Sequence, residues 1–117
     1  VLVGVTHDDT PAQAAKLADK IWNLRIFDDA DGVMNVSVAD TSREVLVVSQ
    51  FTLYGDTRKG RRPGYTEAAR PEHAEPLVDA VVRELRSLGA TVRTGKFQAE
   101  MAVEMVNDGP ITLLVEV

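Results

Sequence analysis

The stretch that decides the fold reads Val45-Leu46-Val47-Val48-Ser49-Gln50-Phe51-Thr52-Leu53. Its first four residues are all apolar, and an unbroken apolar run in a strand indicates burial on both faces of a sheet. Polar Ser49, Gln50 and Thr52 then interrupt the run. We therefore expect a buried strand whose second half carries hydroxyl and amide side chains.

Other strands are expected on both sides of this stretch. Residues 33–38 alternate weakly between apolar and polar side chains, and a polar turn at residues 40–43 separates them from residues 45–53. The two runs therefore predict a hairpin. Shorter apolar runs predict further strands at residues 1–5, 91–94, 102–106 and 111–117.

Two helices are expected between the strands. The first begins with Thr10 as the N-cap, Pro11 at the first helical position and Gln13 three residues after the cap. Its apolar residues then follow three-four spacing as far as about Leu24, which places Trp22 on the buried face.

The second helix is expected from about residue 71 to Leu88, with Gly89 as its stop. Pro76 falls within its first turns, so a start near Glu75 is a second possibility. The sequence thus predicts an α/β domain in which strands dominate and two helices pack on them.

The composition is typical of one globular domain. At 117 residues the chain can bury roughly two-thirds of its unfolded surface. No apolar run approaches the roughly 18 residues of a membrane span, and we expect a soluble protein. The chain has no cysteine, which excludes disulfides and thiolate chemistry and is compatible with a cytoplasmic location.

The charge is unevenly distributed. A net charge of −5 argues against nonspecific binding of nucleic acid. Four cations nevertheless fall within five positions, at Arg58, Lys59, Arg61 and Arg62, and Pro63 then marks a loop. This basic loop (residues 58–62) could contact one stretch of phosphate. A solvated loop that binds nothing is the alternative that such clusters leave open.

Familiar hydrolase signatures are missing from the chain, which has no Gly-x-Ser-x-Gly elbow, no His-Glu-x-x-His and no glycine-rich phosphate loop. His7 and His73 are the only imidazoles, and both are expected at the surface. Ser49 and Thr52 carry hydroxyls, but a hydroxyl nucleophile needs an adjacent base and the sequence offers none. Either residue alone is compatible with an ordinary strand position. An acidic loop at residues 28–31 lacks the spacing of a calcium site, so no metal is expected.

A second unusual segment is Asn107-Asp108-Gly109-Pro110-Ile111-Thr112, which sets a rigid Gly-Pro step between two apolar runs. Proline contributes no hydrogen bond to a strand ladder. The segment is compatible with a simple turn, or with backbone carbonyls directed at a ligand.

Taken together, these segments resemble the bacterial D-aminoacyl-tRNA deacylase family. The resemblance rests on residues 49–53, on Lys59-Gly60-Arg61-Arg62-Pro63, on Phe97 and Met101, and on residues 107–112, and it spans essentially the whole chain. Members of this family begin with a further strand hairpin. The resemblance therefore implies that residues 1–117 form a single deacylase domain without that N-terminal hairpin.

The resemblance implies a curved, barrel-like, mostly antiparallel sheet with two packed helices, assembled as a homodimer. The catalytic floor is then formed by Ser49, Gln50, Phe51 and Thr52. The residues implied to contact the substrate are Phe97, Met101, Asn107, Gly109 and Pro110. The Gly109-Pro110 peptide is implied to be cis and to enter the partner subunit's site. The residues implied to contact tRNA are Arg58, Lys59, Arg61 and Arg62. No cofactor or metal is implied.

The implied reaction is hydrolysis of the ester that joins a D-amino acid to tRNA, as chiral proofreading in translation. Rigid carbonyls at Gly109 and Pro110 can meet the substrate's ammonium group and leave no room for an L side chain. Many D side chains are then accepted, and glycine that is mischarged onto the alanine tRNA is not excluded as a substrate.

Two forms of catalysis are open. In one, Thr52 is the nucleophile. In the other, the neighbouring ribose hydroxyl activates water while backbone amides around Phe51 and Thr52 stabilise the oxyanion. The sequence favours the second, because it offers Thr52 no base.

Two other functions remain as alternatives. One is an editing module of the kind that removes mischarged L-serine in threonyl-tRNA synthetase, which shares the architecture. The other is a non-catalytic dimer that binds nucleic acid or a protein partner, although such a binder has no need of both motifs.

Overall fold

The computed structural model describes residues 1–117. Its helices and strands follow one another as β1 (Leu2–Val3), α1 (Pro11–Asn23), β2 (Arg25–Asp28), β3 (Met34–Ser37), β4 (Val45–Ser49), α2 (Pro71–Ser87) and β5 (Val92–Thr94). Two short 3₁₀ turns, Val38–Asp40 and Phe51–Tyr54, lie between them. The expected α/β class with two helices is confirmed.

The main sheet is open and parallel. β4 is its central strand in the order β1-β4-β5, with Val48 opposite Leu2 and Val45 opposite Val92. Val47 and Val48 face opposite sides and are both buried, as the apolar run predicts, whereas Leu46 is 45% exposed. Burial on both faces therefore applies to part of β4 only.

Two expectations about strand pairing are wrong. β3 pairs antiparallel with β2, so residues 33–38 do not form a hairpin with residues 45–53. The principal sheet is not mostly antiparallel, and its three strands do not close into a barrel. Parallel neighbours need long crossover connections, and α1 and α2 lie within those connections.

Helix α1 begins where its sequence predicts. The Thr10 hydroxyl accepts a hydrogen bond from the Ala12 N–H at 3.3 Å, and the Gln13 side chain accepts one from the Thr10 N–H at 3.0 Å. This reciprocal capping satisfies donors that the first turn leaves free. The helix ends at Asn23, one residue before the expected end.

Helix α2 begins at Pro71, so the alternative start near Glu75 is wrong. Pro76 lies inside the helix, near its amino-terminal end, where the helix continues past it. Gly89 follows the last turn with a φ of 106°, a left-handed conformation that suits glycine and ends the helix as expected.

The core lies between the helices and the parallel sheet. α1 packs on α2, and α2 also contacts β4 and β5. Leu85 of α2 and Val47 of β4 are almost fully buried in the cluster that results. Trp22, expected in the core, is partly buried and packs against this cluster. The end of β4 is thus held by the best-packed part of the molecule.

Residues 100–117 form an extended C-terminal arm in place of the strands expected at 102–106 and 111–117. No hydrogen bond between two backbone groups involves any residue of the arm. The radius of gyration is 15.3 Å, compared with about 13 Å for a compact chain of this length. A strand needs a neighbour to accept its hydrogen bonds, and the single chain provides none for the arm.

Neither helix has the length and apolar character needed to cross a membrane.

Candidate active site

A cleft of about 290 Å³ opens at the carboxyl ends of β4 and β5. Ser49 and Thr94 line it from the strands, Phe97 from the segment after β5, and Glu75 and Asp79 from α2. In open α/β sheets, ligands bind beyond the carboxyl ends of the parallel strands. The topology therefore makes this cleft the candidate active site, and it brings Ser49 together with Phe97.

The chain leaves β4 through the 3₁₀ turn Phe51–Tyr54, so the expected strand ends at Ser49 rather than at residue 53. The turn lies close against Gly4. A β-carbon at Gly4 would be 3.1 Å from Leu53 Cβ and 3.2 Å from two ring carbons of Tyr54. The absence of a side chain at Gly4 therefore lets the turn pack onto the end of β1.

Two backbone donors of this turn have no partner within the chain. Phe51 and Thr52 are its first residues, so their N–H groups have no acceptor inside the turn, and no other backbone or side-chain group accepts them. The donors that follow are occupied, since Leu53 N–H donates to Gln50 O at 3.3 Å and Gly55 N–H to Thr52 O at 3.0 Å. The turn thus offers two adjacent amides that can hydrogen-bond an oxyanion.

The Thr52 hydroxyl is not paired with a base. Its Oγ1 accepts a hydrogen bond from Gln50 Nε2 at 2.6 Å. An amide NH₂ group only donates, so Gln50 cannot remove the hydroxyl proton through this contact. The contact instead fixes the two side chains of the motif relative to each other.

Both histidines are exposed, as expected, and both hydrogen-bond to backbone carbonyls. His7 Nε2 donates to Thr66 O at 2.7 Å, and His73 Nε2 donates to Asp9 O at 3.0 Å. These contacts join the loop after β1 to the segment that precedes and begins α2. They leave neither imidazole bonded to the motif.

Tyr54, the last residue of the turn, is not a base either. Burial raises the pKa of its phenol, and the carboxylates of Asp9 and Glu116 raise it further. The hydroxyl is therefore protonated at neutral pH.

Met101 lies against the wall of the cleft. A β-carbon on Gly95, a lining residue, would be only 2.9 Å from Met101 Sδ, and the Lys96 N–H donates to the same sulfur at 3.4 Å. Phe97 packs against the core while it lines the cleft. The structure thus places Phe97 and Met101, two predicted substrate contacts, beside the cleft that Ser49 lines.

The Gly109-Pro110 step lies on the C-terminal arm, and its peptide bond is cis. A β-carbon on Gly109 would have Asn107 Nδ2, at 3.7 Å, and Ile111 N, at 3.9 Å, as its nearest neighbours. Neither Gly109 nor Pro110 lines the cleft. A single chain therefore does not bring this step together with the motif at residues 49–53.

The basic loop is closed at its neck by two backbone hydrogen bonds, from Asp56 N–H to Gly64 O at 2.7 Å and from Gly64 N–H to Asp56 O at 2.9 Å. Inside the neck, the Asp56 carboxylate accepts hydrogen bonds from Arg58 Nε at 2.9 Å and Nη2 at 2.8 Å. Hydrogen bonding from Arg58 lowers the pKa of Asp56 to about 2. Arg58 therefore forms an ion pair within the loop. The three remaining cations are exposed and form no ion pair: Lys59, Arg61 and Arg62.

An aromatic contact links the basic loop to the motif. The rings of Phe51 and Tyr65 meet edge to face, with centroids 5.1 Å apart and planes at 71°. Tyr65 directly follows Gly64, the second residue of the loop's neck.

Several residues at the site were not singled out from the sequence. Glu75 and Asp79 lie four positions apart on one face of α2, and that spacing could have identified them as a pair. Asp56 lies two residues before Arg58, and this opposite charge could have indicated a contact at the neck of the basic loop. The roles of Gly4 and Tyr65 depend on tertiary contacts that no local pattern predicts.

Comparison with known proteins identifies relatives along the whole chain. A family model described as D-Tyr-tRNA(Tyr) deacylase matches residues 1–116. A D-aminoacyl-tRNA deacylase of Heliobacterium modesticaldum is 62% identical over 116 residues, which cover 99% of this chain and 77% of the relative. A D-aminoacyl-tRNA deacylase of a Geobacillus species is 60% identical over 116 residues, which cover 99% of this chain and 76% of the relative.

Solved structures share the fold. One, described as c-Myc DNA Unwinding Element Binding Protein, has a TM-score of 0.86 at 37% identity and covers 94% of this chain and 75% of its own. Another, described as a probable eukaryotic D-amino acid tRNA deacylase, has a TM-score of 0.77 at 16% identity and covers 93% of this chain and 79% of its own. The second supports the fold alone.

Proposed function

The chain belongs to the D-Tyr-tRNA(Tyr) deacylase family, and on this basis we propose that it is a D-aminoacyl-tRNA deacylase. The enzyme hydrolyses the ester between a D-amino acid and tRNA and releases both. Family membership and the identity of its relatives support the activity, and the unbonded amides of the turn that follows Ser49 support a mechanism for it.

The observation that carries the mechanism is the pair of unbonded amides at Phe51 and Thr52. They follow Ser49, which lines the cleft, and they sit on a turn anchored to the core through β4. When water attacks an ester carbonyl, the carbonyl oxygen gains negative charge, and two fixed N–H donors stabilise that charge. Because the donors belong to the backbone, no special side chain is needed at either position.

Water is the nucleophile in this mechanism. Its oxygen forms a bond to the ester carbon, and the neighbouring ribose hydroxyl of the substrate accepts the proton that water loses while it passes its own proton to the ester oxygen. The bond from carbon to the ester oxygen then breaks. Thr52 is an unsuitable nucleophile, because its hydroxyl contacts only the donating amide of Gln50.

Chiral selection is assigned to Gly109 and Pro110 of a partner subunit. Their carbonyls would accept hydrogen bonds from the substrate's ammonium group and occupy the space into which an L side chain points. Within one chain both residues are exposed and lie outside the cleft, and a β-carbon on Gly109 would have only Asn107 and Ile111 close to it. Insertion into a second copy would complete the site. Glycyl-tRNA has no side chain to exclude, so the same filter accepts it.

The C-terminal arm also supports a homodimer. It carries large apolar side chains that are mostly exposed in the single chain, including Met105 at 71%, Val106 at 94% and Leu114 at 77%. Exposed apolar surface of this extent is typical of an interaction site. A second copy that receives the arm would bury these side chains and provide acceptors for its backbone.

The basic loop is assigned to the phosphates of tRNA. Its closed neck fixes the direction of the loop, and its three unpaired cations protrude from a protein whose net charge is −5. Arg58 has a supporting role, since it is bonded to Asp56. Aminoacylated tRNA is a cytoplasmic substrate, and the enzyme is accordingly placed there.

The test is to offer the protein D-tyrosyl-tRNA and L-tyrosyl-tRNA separately and to measure release of each amino acid. Rapid release of D-tyrosine with little release of L-tyrosine is expected. L-Seryl-tRNA is included as a third substrate, since preferential release of L-serine would indicate a synthetase-type editing module instead. Equal release of both tyrosine enantiomers contradicts the chiral filter.

Nucleic-acid binding without hydrolysis is the second candidate, because a structural relative at 37% identity is named as a DNA-binding protein. Tight binding of tRNA with no release of D-tyrosine would favour it.

A further inference from the structure

The chain has six aromatic residues, and two of them stand together on the surface. Phe51 is 54% exposed and Tyr65 is 39% exposed. The others are packed more closely: Phe27, Phe97 and Trp22 lie against the core, and Tyr54 lies beside Gly4. The Phe51–Tyr65 contact therefore adds little to the core while it leaves aromatic surface open to solvent.

This aromatic pair lies between two parts of the proposed site. Phe51 belongs to the turn that offers the unbonded amides, and Tyr65 follows the neck of the basic loop. A β-carbon at Gly55 would be 3.1 Å from Tyr65 Cε1, so the Tyr65 ring also lies against the end of the turn. The end of the turn thus fixes the position of the Tyr65 ring, and the Phe51 ring packs edge to face against it.

Cations beside exposed aromatic rings are the combination that binds single-stranded nucleic acid. The cations hold the phosphates, and a base stacks on the ring, which requires no particular base sequence. Here Lys59, Arg61 and Arg62 provide the charge, and the aromatic pair provides the stacking surface. The remainder of the acidic surface disfavours binding elsewhere.

We propose that Phe51 and Tyr65 form a stacking platform for an unpaired nucleobase at the 3′ end of the tRNA. This inference rests on the proposed function, since it concerns the strand that carries the ester. A base stacked on the pair fixes the course of that strand between the basic loop and the cleft. Tyr65 is then a binding residue for the RNA and not a catalytic one.

The first experiment uses the unaltered protein and two short single-stranded RNA probes of equal length. One has all its bases, and the other is abasic throughout, so the phosphate charge is the same. Affinity measured by fluorescence anisotropy should be roughly 5- to 150-fold higher for the intact RNA, the range that stacking of one base on an aromatic ring covers. Equal affinities for the two probes overturn the proposal.

The second experiment compares Tyr65→Leu with the conservative Tyr65→Phe. Tyr65→Leu should lose affinity for the intact RNA and bind the abasic RNA as the unaltered protein does, whereas Tyr65→Phe should keep both affinities. Lys59→Ala should weaken binding of both probes. A Tyr65→Leu protein that binds intact RNA normally contradicts the platform.

Deacylation distinguishes this inference from the proposed function. Tyr65→Leu should raise KM for D-tyrosyl-tRNA and leave the preference for the D enantiomer unchanged. A fall in kcat alone, with normal affinity for RNA, would mean that Tyr65 only positions Phe51, and the platform would be wrong. If the unaltered protein released no D-tyrosine, the proposed function would fail, while the comparison of intact and abasic RNA would still test the platform.

Discussion

Replacing Gly109 with alanine separates a role inside the chain from a role in the partner subunit. The new β-carbon would meet Asn107 Nδ2 at 3.7 Å and Ile111 N at 3.9 Å, which are ordinary van der Waals distances. Gly109 is not among the residues with positive φ, so alanine fits its backbone. The free energy of unfolding should therefore change by less than about 1 kcal/mol, with a small gain because alanine restricts the unfolded chain.

The effect on activity should be much larger if Gly109 enters the partner's cleft. One extra methyl group in a closely packed site costs about 1–3 kcal/mol, which corresponds to roughly a 5- to 150-fold loss of kcat/KM. The assay measures kcat/KM for D-tyrosyl-tRNA and L-tyrosyl-tRNA, together with thermal unfolding and the oligomeric state. Gly64→Ala is the matched control, because its β-carbon would have no neighbour within 4 Å.

A Gly109→Ala protein that folds, dimerises and deacylates D-tyrosyl-tRNA at the normal rate would refute a role for Gly109 in the partner's cleft. Gly64→Ala, which changes the neck of the basic loop and not the cleft, should keep the ratio of D to L rates; a change in that ratio as large as that of Gly109→Ala would contradict a specific role for Gly109. A Gly109→Ala protein that unfolds at markedly lower temperature would show that Gly109 is needed within its own chain.

Three further predictions concern the turn, the loop and the core. Thr52→Val should retain activity within about tenfold, because removal of a true nucleophile costs several orders of magnitude; a folded but inactive Thr52→Val protein contradicts this. The Asp56 carboxyl should titrate in an NMR experiment near its pKa of about 2, and in Arg58→Gln its pKa should return toward 3.8. Because the pKa is lowered on folding, the stabilisation from this pair is present above pH 3.8 and is lost as the pH falls through about 2. Leu85→Ala should destabilise the fold by about 2–5 kcal/mol, whereas Leu88→Ala, at an exposed position of the same helix end, should cost no more than about 0.5 kcal/mol in chemical denaturation.

Both helices could be predicted from the sequence because their signals are local. The capping residues around Thr10 and the left-handed Gly89 specify where helices start and stop without reference to the rest of the chain. The buried part of β4 was predictable for the same reason, since an unbroken apolar run in a strand indicates burial.

The pairing of the strands could not be predicted, because it depends on contacts between distant residues. The short polar turn before β4 suggested a hairpin, but β3 pairs with β2 and β4 pairs with β1 and β5. The parallel order places the carboxyl ends of β4 and β5 side by side, where the cleft opens. Because this order was not predicted, Glu75 and Asp79 were not identified as lining residues. The residues of the arm predict two strands because they favour that conformation, but propensity alone does not supply the neighbour that a strand requires.

The same separation of elements has a consequence for specificity. The unbonded amides belong to the turn after β4, whereas the proposed chiral filter belongs to the arm, and within one chain the two do not meet. Stabilisation of the oxyanion acts on any ester that reaches the cleft, whichever enantiomer it carries. Changes in the turn should therefore lower the rates for D and L substrates by similar factors. Changes at Gly109 or Pro110 should alter the ratio of the two rates, because in the proposed site only the arm distinguishes the direction of the side chain.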